Sequence, residues 1–181
     1  MKLINILFIS IILFSCSLTK GVTEKTPNEN NVSILNDSVK AWENLDKIPI
    51  GFEVLHSPSR VKKFTAQMDG WPFKWHFKTT VKNISNKDIS IFSFGIFAWD
   101  NGKWIIDENQ KKYNSGFIDS NIFSEWYNCP NGLIKSNQSF SDSENWAGNY
   151  HFESFKQKWV YLGKDKEGNI YKGESIVRLE K

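Results

Sequence analysis

An apolar run from Leu3 to Phe14, broken only by Asn5 and Ser10, gives way to a polar stretch over residues 17–36 rich in Thr, Asn, Lys and Glu. The polar stretch has too little apolar surface to fold around and reads as a tether. Val39, Trp42 and Leu45 then recur at a spacing of three, which predicts one short helix or turn. From Ile50 onward the rhythm is that of strands. Phe73, Trp75, Phe77, Thr79 and Val81 alternate with Lys74, His76, Lys78, Thr80 and Lys82, an inward and an outward row of one strand. Residues 83–88, Asn-Ile-Ser-Asn-Lys-Asp, turn the chain. Ile89 to Trp99 is apolar on both faces, as in a central strand or one whose outer face is covered. Asp100-Asn101-Gly102 predicts a hairpin with Lys103 to Ile106 returning.

Residues 107–131 carry no regular pattern. Gly132 to Phe140 predicts a strand pair with Ser136-Asn137-Gln138-Ser139 near its turn, and Tyr150 to Gly163 predicts one long strand segment. The polar turn at residues 164–169 and the run Ile170 to Leu179 close a C-terminal hairpin. Short strands with turns about every ten residues, and no long helices between them, predict an all-β sandwich of about seven or eight strands.

Behind Lys2 and the apolar run, Leu13-Phe14-Ser15-Cys16 resembles the lipobox of a bacterial lipoprotein signal peptide. The run is shorter than the roughly 20 apolar residues a membrane-spanning helix needs. Ser15 is the small residue expected before the cysteine, and Phe14 is larger than the pattern prefers. The resemblance implies a diacylglyceryl thioether on Cys16, cleavage before it and a further acyl chain, such as palmitate, on the new amino terminus. Two or more chains anchor a protein stably; the alternative is a secreted protein without lipid. The organisation that follows is a signal peptide over residues 1–15, a lipidated tether over 16–36 and one domain over 37–181. Asp37-Ser38-Val39 resembles a short bacterial O-glycosylation acceptor, and Asn36 or Asp37 equally suits a helix N-cap.

A second resemblance runs from Thr80-Val81-Lys82-Asn83-Ile84-Ser85-Asn86-Lys87-Asp88-Ile89 to Trp99-Asp100-Asn101-Gly102, with Ser136-Asn137-Gln138-Ser139 as a later turn. It is similar to the immunoglobulin-like domain appended to many bacterial envelope lipoproteins. The resemblance implies an Ig-like antiparallel sandwich that binds or spaces and is seldom catalytic.

Composition narrows the function. A net charge of +3 is too balanced for nucleic acid. With Cys16 lipidated, Cys129 is the remaining thiol, so no internal disulfide is expected and packing must hold the fold. Eight Trp, fourteen Phe and five Tyr supply that packing, since each buries roughly 150–250 Å². His56, His76 and His151 show no metal-ligand spacing. Cys129, between Asn128 and Pro130, lacks a nucleophile's surroundings and reads as a buried inert thiol. Asp100, Asp107, Glu108, Asp119, Glu125, Asp142 and Glu144 are not paired by spacing as a glycosidase requires. Asp165-Lys166-Glu167-Gly168-Asn169 has calcium-loop residue types without the full pattern and reads as a hairpin turn.

The remaining candidates are aromatics beside Asn and Gly: Trp71, Trp126, Tyr127 and Trp146, whose rings suit sugar stacking or a protein contact. The expectation is therefore a non-catalytic, membrane-anchored envelope lipoprotein without cofactor or metal. It would face the periplasm and bind another envelope component through loops or a sheet edge. A carbohydrate-binding lipoprotein is the alternative, and an envelope hydrolase the second alternative.

Overall fold

The computed structural model describes residues 39–62, 64–66, 72–107, 110 and 117–181. Cys16, Trp71 and the Asp37-Ser38 pair lie outside them. Among the described residues no helix is long and apolar enough to cross a membrane.

The chain folds as an all-β sandwich. One layer is built on β4 (Phe73–His76) and β5 (Lys78–Asn83), which run nearly end to end. β5 lies between β1 (Phe52–Ser57) and β10 (Ser139–Asp142), and β4 between β3 (Phe64–Ala66) and β11 (Trp146–Asn149). The other layer runs β2 (Arg60–Val61), β13 (Ile170–Leu179), β12 (Phe155–Lys164), β6 (Ile89–Asp100) and β7 (Lys103–Ile106). The short strands β8 (Ile118–Asp119) and β9 (Leu133–Ile134) also pair with β6. Pairing is antiparallel except for β2 on β13 and an isolated bridge from Ile50 to Lys172. The strands outnumber the expected seven or eight because the Phe77 and Asn145 region interrupts two of them and several edge strands are very short.

The inward row of the first layer is as the alternation predicts: Trp75, Phe77, Thr79 and Val81 are buried. They meet Phe94, Trp159, Tyr161 and Val177 of the second layer in one core. Phe52 fills space that glycines leave open, because a Cβ on Gly163 or Gly173 would stand 2.7 Å or 2.5 Å from its side chain. The predicted hairpin forms with Asp100 opposite Lys103. Asn101 and Gly102 both take positive φ, as a tight hairpin matching strand twist requires.

β6 is apolar on both faces because both are covered. Phe94 and Ile91 enter the core, while Gly95 and Phe97 lie under a second aromatic layer. Trp42, from the short helix α1 (residues 39–43), stacks on Phe117 at 4.0 Å and donates from Nε1 to Ser93 Oγ at 3.1 Å. The predicted N-terminal helical turn is present and continues into a 3₁₀ turn at Leu45–Lys47.

One expectation is corrected, and one region without a predicted element gains one. Residues 150–154 are not strand; β12 begins at Phe155, after an Asn149 side chain that accepts from the His151 amide. The unpatterned region contains a helix, α2 (Ser120–Trp126), capped by Asp119, whose Oδ1 accepts from the Asn121 and Ile122 amides. That cap satisfies two of the orphan donors of so short a helix.

Candidate functional site

A cleft of about 590 Å³ opens between the interrupted edge strand β10–β11 and the facing strands β6 and β12, with the C-terminal end of α2 as its flank. Asn145 fixes the interruption. Its carbonyl accepts from the Phe77 amide at 2.9 Å, its Nδ2 donates to Thr79 Oγ1 at 2.7 Å, and its Oδ1 accepts from the Trp146 amide at 2.8 Å. Asp142 Oδ1 accepts from the Glu144 amide at 3.0 Å, closing the turn between the two strands. The chain therefore leaves the sheet at residue 143 and returns at Trp146, with Asp142, Glu144 and Trp146 on the cleft.

Trp146, 42% exposed, and Trp126, 38% exposed, both line this cleft from different elements. Trp126 is braced edge-on by Phe94, centroids 5.7 Å apart. Trp146 is braced by Lys74, whose Nζ stands 4.7 Å from the ring centroid. Two of the four candidate aromatics are thus brought together, and Trp71 lies outside the described residues.

Tyr127 is a correction. It follows Trp126, but the turn of the helix end swings it into the core, where it is 1% exposed. It stacks on Phe123 and shares a hydrogen bond with the Tyr161 hydroxyl. Burial pushes both phenols above their ordinary value. Tyr127 belongs to the core and offers no binding face.

Pattern reading missed the cleft's polar floor. Gln157 Nε2 donates to Asp107 Oδ2 at 2.8 Å, and Gln110 Nε2 donates to the Ile96 carbonyl at 2.6 Å. The opposite ends of both amides, Gln157 Oε1 and Gln110 Oε1, are buried without a partner, as is Trp159 Nε1. All three residues line the cleft. One signal was available: Phe155, Gln157, Trp159 and Tyr161 form an inward row, and a glutamine in such a row needs a polar reason to be there.

Four carboxylates gather at the cleft, Asp107, Glu125, Asp142 and Glu144, although their spacing does not pair them. Burial raises the Asp142 carboxyl above its usual range; the Glu144 amide opposes this and the Glu144 charge adds to it. Among the described residues no group of three His, Cys, Asp or Glu side chains is placed to hold a metal ion.

Cys129 is fully buried, its thiol directed at the Leu133 carbonyl at 3.5 Å, and burial pushes it up to about 11. It is a core thiol, buried as expected. Asp165 caps its hairpin turn, accepting from the Asn169 side chain and from the Glu167 and Asn169 amides. Those bonds, the Asn169 side chain foremost, lower its carboxyl.

No protein-family model matches the chain, and no curated protein is similar to it. Among solved structures, the X-ray structure of Northeast Structural Genomics Consortium target SoR45 is similar over 74% of this chain and 88% of that one, with a TM-score of 0.48 and 12% identity.

The outer face of the larger sheet is a second exposed surface. Register aligns Arg60, Arg178 and Lys156 across β2, β13 and β12. Lys156 Nζ stands 5.3 Å over the Trp99 ring, and Trp99 pairs with Trp104 across β6 and β7. Lys158 lies over both Phe97 and Trp104.

Proposed function

We propose that this chain is a non-catalytic, lipid-anchored protein of the bacterial cell envelope that binds an envelope glycan in the cleft between Trp126 and Trp146. The single observation behind the reading is that two half-exposed indoles, Trp126 and Trp146, line one cleft from different elements together with polar side chains. Sugars present apolar C–H faces that stack on indole and a rim of hydroxyls that both donate and accept. A cleft with aromatic walls and a polar floor matches that chemistry. The anchor follows from the lipobox at Cys16, and the tether of twenty residues gives the domain a reach of at most about 60 Å from the membrane. A periplasm-facing position fits the absence of an acidic cluster in Ser17-Leu18-Thr19-Lys20.

The test uses the full chain, purified in a polyoxyethylene detergent that carries no sugar, against glycans released from the native envelope. Retention of a defined polysaccharide that is lost in both Trp126→Ala and Trp146→Ala supports the reading. No retention, or retention indifferent to both substitutions, rejects it. Breakdown of the glycan during the assay would make the protein a hydrolase. Labelled palmitate entering the native chain and not Cys16→Ala tests the anchor.

The outer sheet face favours a second reading, docking of an acidic protein partner. Arg60, Arg178 and Lys156 stand there with exposed Trp99 and Ile176, and Glu180 pairs with Arg60 at 3.5 Å, which leaves the group a net positive charge. Capture of one acidic envelope protein, lost in Trp99→Ala with Lys156→Glu, would support it.

A further inference from the structure

We propose that the outer face of the larger sheet docks on the phosphate headgroups of anionic lipids in the membrane that holds the chain. The inference rests on the lipid-anchored reading and names the face that turns to the bilayer. Strand alternation sets that face. Gln157, Trp159, Val177 and Leu179 are buried, so Lys156, Lys158, Ile176 and Arg178 stand on the opposite side of β12 and β13. Pairing aligns them with residues of β2, β6 and β7 in two neighbouring rows. One row runs Trp104, Trp99, Lys156, Arg178 and Arg60, and the other Ile106, Phe97, Lys158 and Ile176. Every member of both rows is a described residue, and each is aromatic, aliphatic or cationic. Glu180, just past β13, pairs with Arg60 at 3.5 Å, and Glu174 lies two positions before Ile176.

The rows mix charge and ring in a way that suits a bilayer surface. Lys156 Nζ stands 5.3 Å from the Trp99 centroid and Lys158 Nζ 5.2 Å from that of Trp104. Such a contact leaves the ammonium its charge and holds it beside an indole. At a membrane the ammonium and guanidinium groups meet lipid phosphates, while an indole settles at headgroup level. Trp99 is 41% exposed and Ile176 43% exposed, so apolar surface is offered along with the charge. An acidic protein would satisfy the same cations; the course of the chain decides for lipid. The helix α1 lies on this face, with Trp42 packed on Phe97 at 5.9 Å between centroids. Lys158 Nζ approaches the same Phe97 ring at 5.5 Å, so α1 and the two rows are neighbours. The described chain thus begins, at Val39, on the face that carries the rows. That face can meet the bilayer without the tether passing round the domain, and tethering raises its effective concentration at the membrane.

The experiment inserts the chain, purified with its lipid from the native envelope, into preformed vesicles. One set is phosphatidylcholine alone, and the other is phosphatidylcholine and phosphatidylglycerol in equal parts. Hydroxyl-radical footprinting read by mass spectrometry follows the oxidation of each tryptophan. Trp126 and Trp146, exposed to a similar degree in the cleft, are the internal reference. Relative to them, Trp99 is expected to oxidise about threefold more slowly on the anionic vesicles than on the neutral ones. The protection should vanish at about 0.5 M salt, where surface charge is screened within a few ångströms. It should also vanish in Lys156→Glu combined with Arg178→Glu, and the salt result tests the charges even if that variant does not fold. Equal oxidation of Trp99 on both vesicles overturns the docking and leaves the anchor standing. Protection that survives both salt and the double variant overturns its assignment to the cations. Protection that appears only when envelope proteins are added back overturns lipid in favour of a protein partner. A chain that does not float with the neutral vesicles overturns the anchor reading, and the footprint on anionic vesicles still decides the docking.

Discussion

Gln157 donates from Nε2 to Asp107 Oδ2 at 2.8 Å, and that bond fixes which end of the glutamine amide is left without a partner. A carboxylate accepts and cannot donate, so the amide must present its nitrogen to Asp107 and its oxygen elsewhere. Both side chains are buried. Gln157→Leu keeps most of the volume and removes the donor from a buried carboxylate, at an expected cost of about 2 kcal/mol. Urea denaturation measures this loss. A variant as stable as the original chain would show that the bond contributes nothing net.

The two cleft tryptophans should separate binding from stability. Trp146 is partly open to solvent, and its replacement removes little packing. Trp146→Ala is expected to change stability by less than about 1 kcal/mol while weakening glycan binding by about tenfold or more. Trp126→Ala also loses the edge-on contact with Phe94 and should cost a further ~1 kcal/mol in stability. Melting curves and binding isotherms on the same preparations give both numbers. Equal stability losses would mean that Trp146 is held more tightly than its exposure indicates.

Strand rhythm made β4, β5, β6, β7 and β13 legible, because each exposes one face or is bounded by a strong turn such as Asp100-Asn101-Gly102. The cleft was legible only in its walls. Trp126 and Trp146 stood out beside Asn and Gly, but adjacency to Trp126 also drew in Tyr127, and one residue's advance around a helix end decides between solvent and core. The floor left one signal, a glutamine in the inward row of β12, and nothing that named its partner. Asp107 and Gln157 are fifty positions apart and meet only through the pairing of β6 with β12 and β7. The helix α2 was missed because seven residues give too few turns for a periodic signal, and the cap at Asp119 is visible only once the helix is known.

Gly95 is where the outer aromatic layer is most easily disturbed. A Cβ there would stand 3.0 Å from both the Phe117 ring and the Trp42 ring, whose own stacking leaves them little room to retreat. Gly95→Val should push Trp42 off the sheet and break its bond to Ser93, at an expected cost of about 1–3 kcal/mol. Near-ultraviolet circular dichroism should report the lost Trp42–Phe117 stack. An unchanged spectrum with unchanged stability would show that the rings yield freely.

His56 should make the fold sensitive to mild acid. It is buried between Phe77 and Trp159, with Nδ1 sharing a hydrogen bond with Thr79 Oγ1 at 3.1 Å. Its Nε2 is buried without a hydrogen-bond partner. Burial lowers its pKa from 6.5 to about 4, and the Ser175 backbone only partly opposes this. Between those two values the unfolded chain binds a proton that the folded chain excludes, so stability falls as pH falls through that window. Above pH 6.5 the group is neutral in both states and contributes no slope. From pH 7.5 to pH 5 the loss assigned to His56 should be about 2 kcal/mol. His56→Gln removes the titration and keeps a polar group beside Thr79, so its stability should fall less over the same interval, whatever its starting value. Urea midpoints for both chains at the two pH values measure the difference, and parallel losses would place the acid sensitivity on other groups.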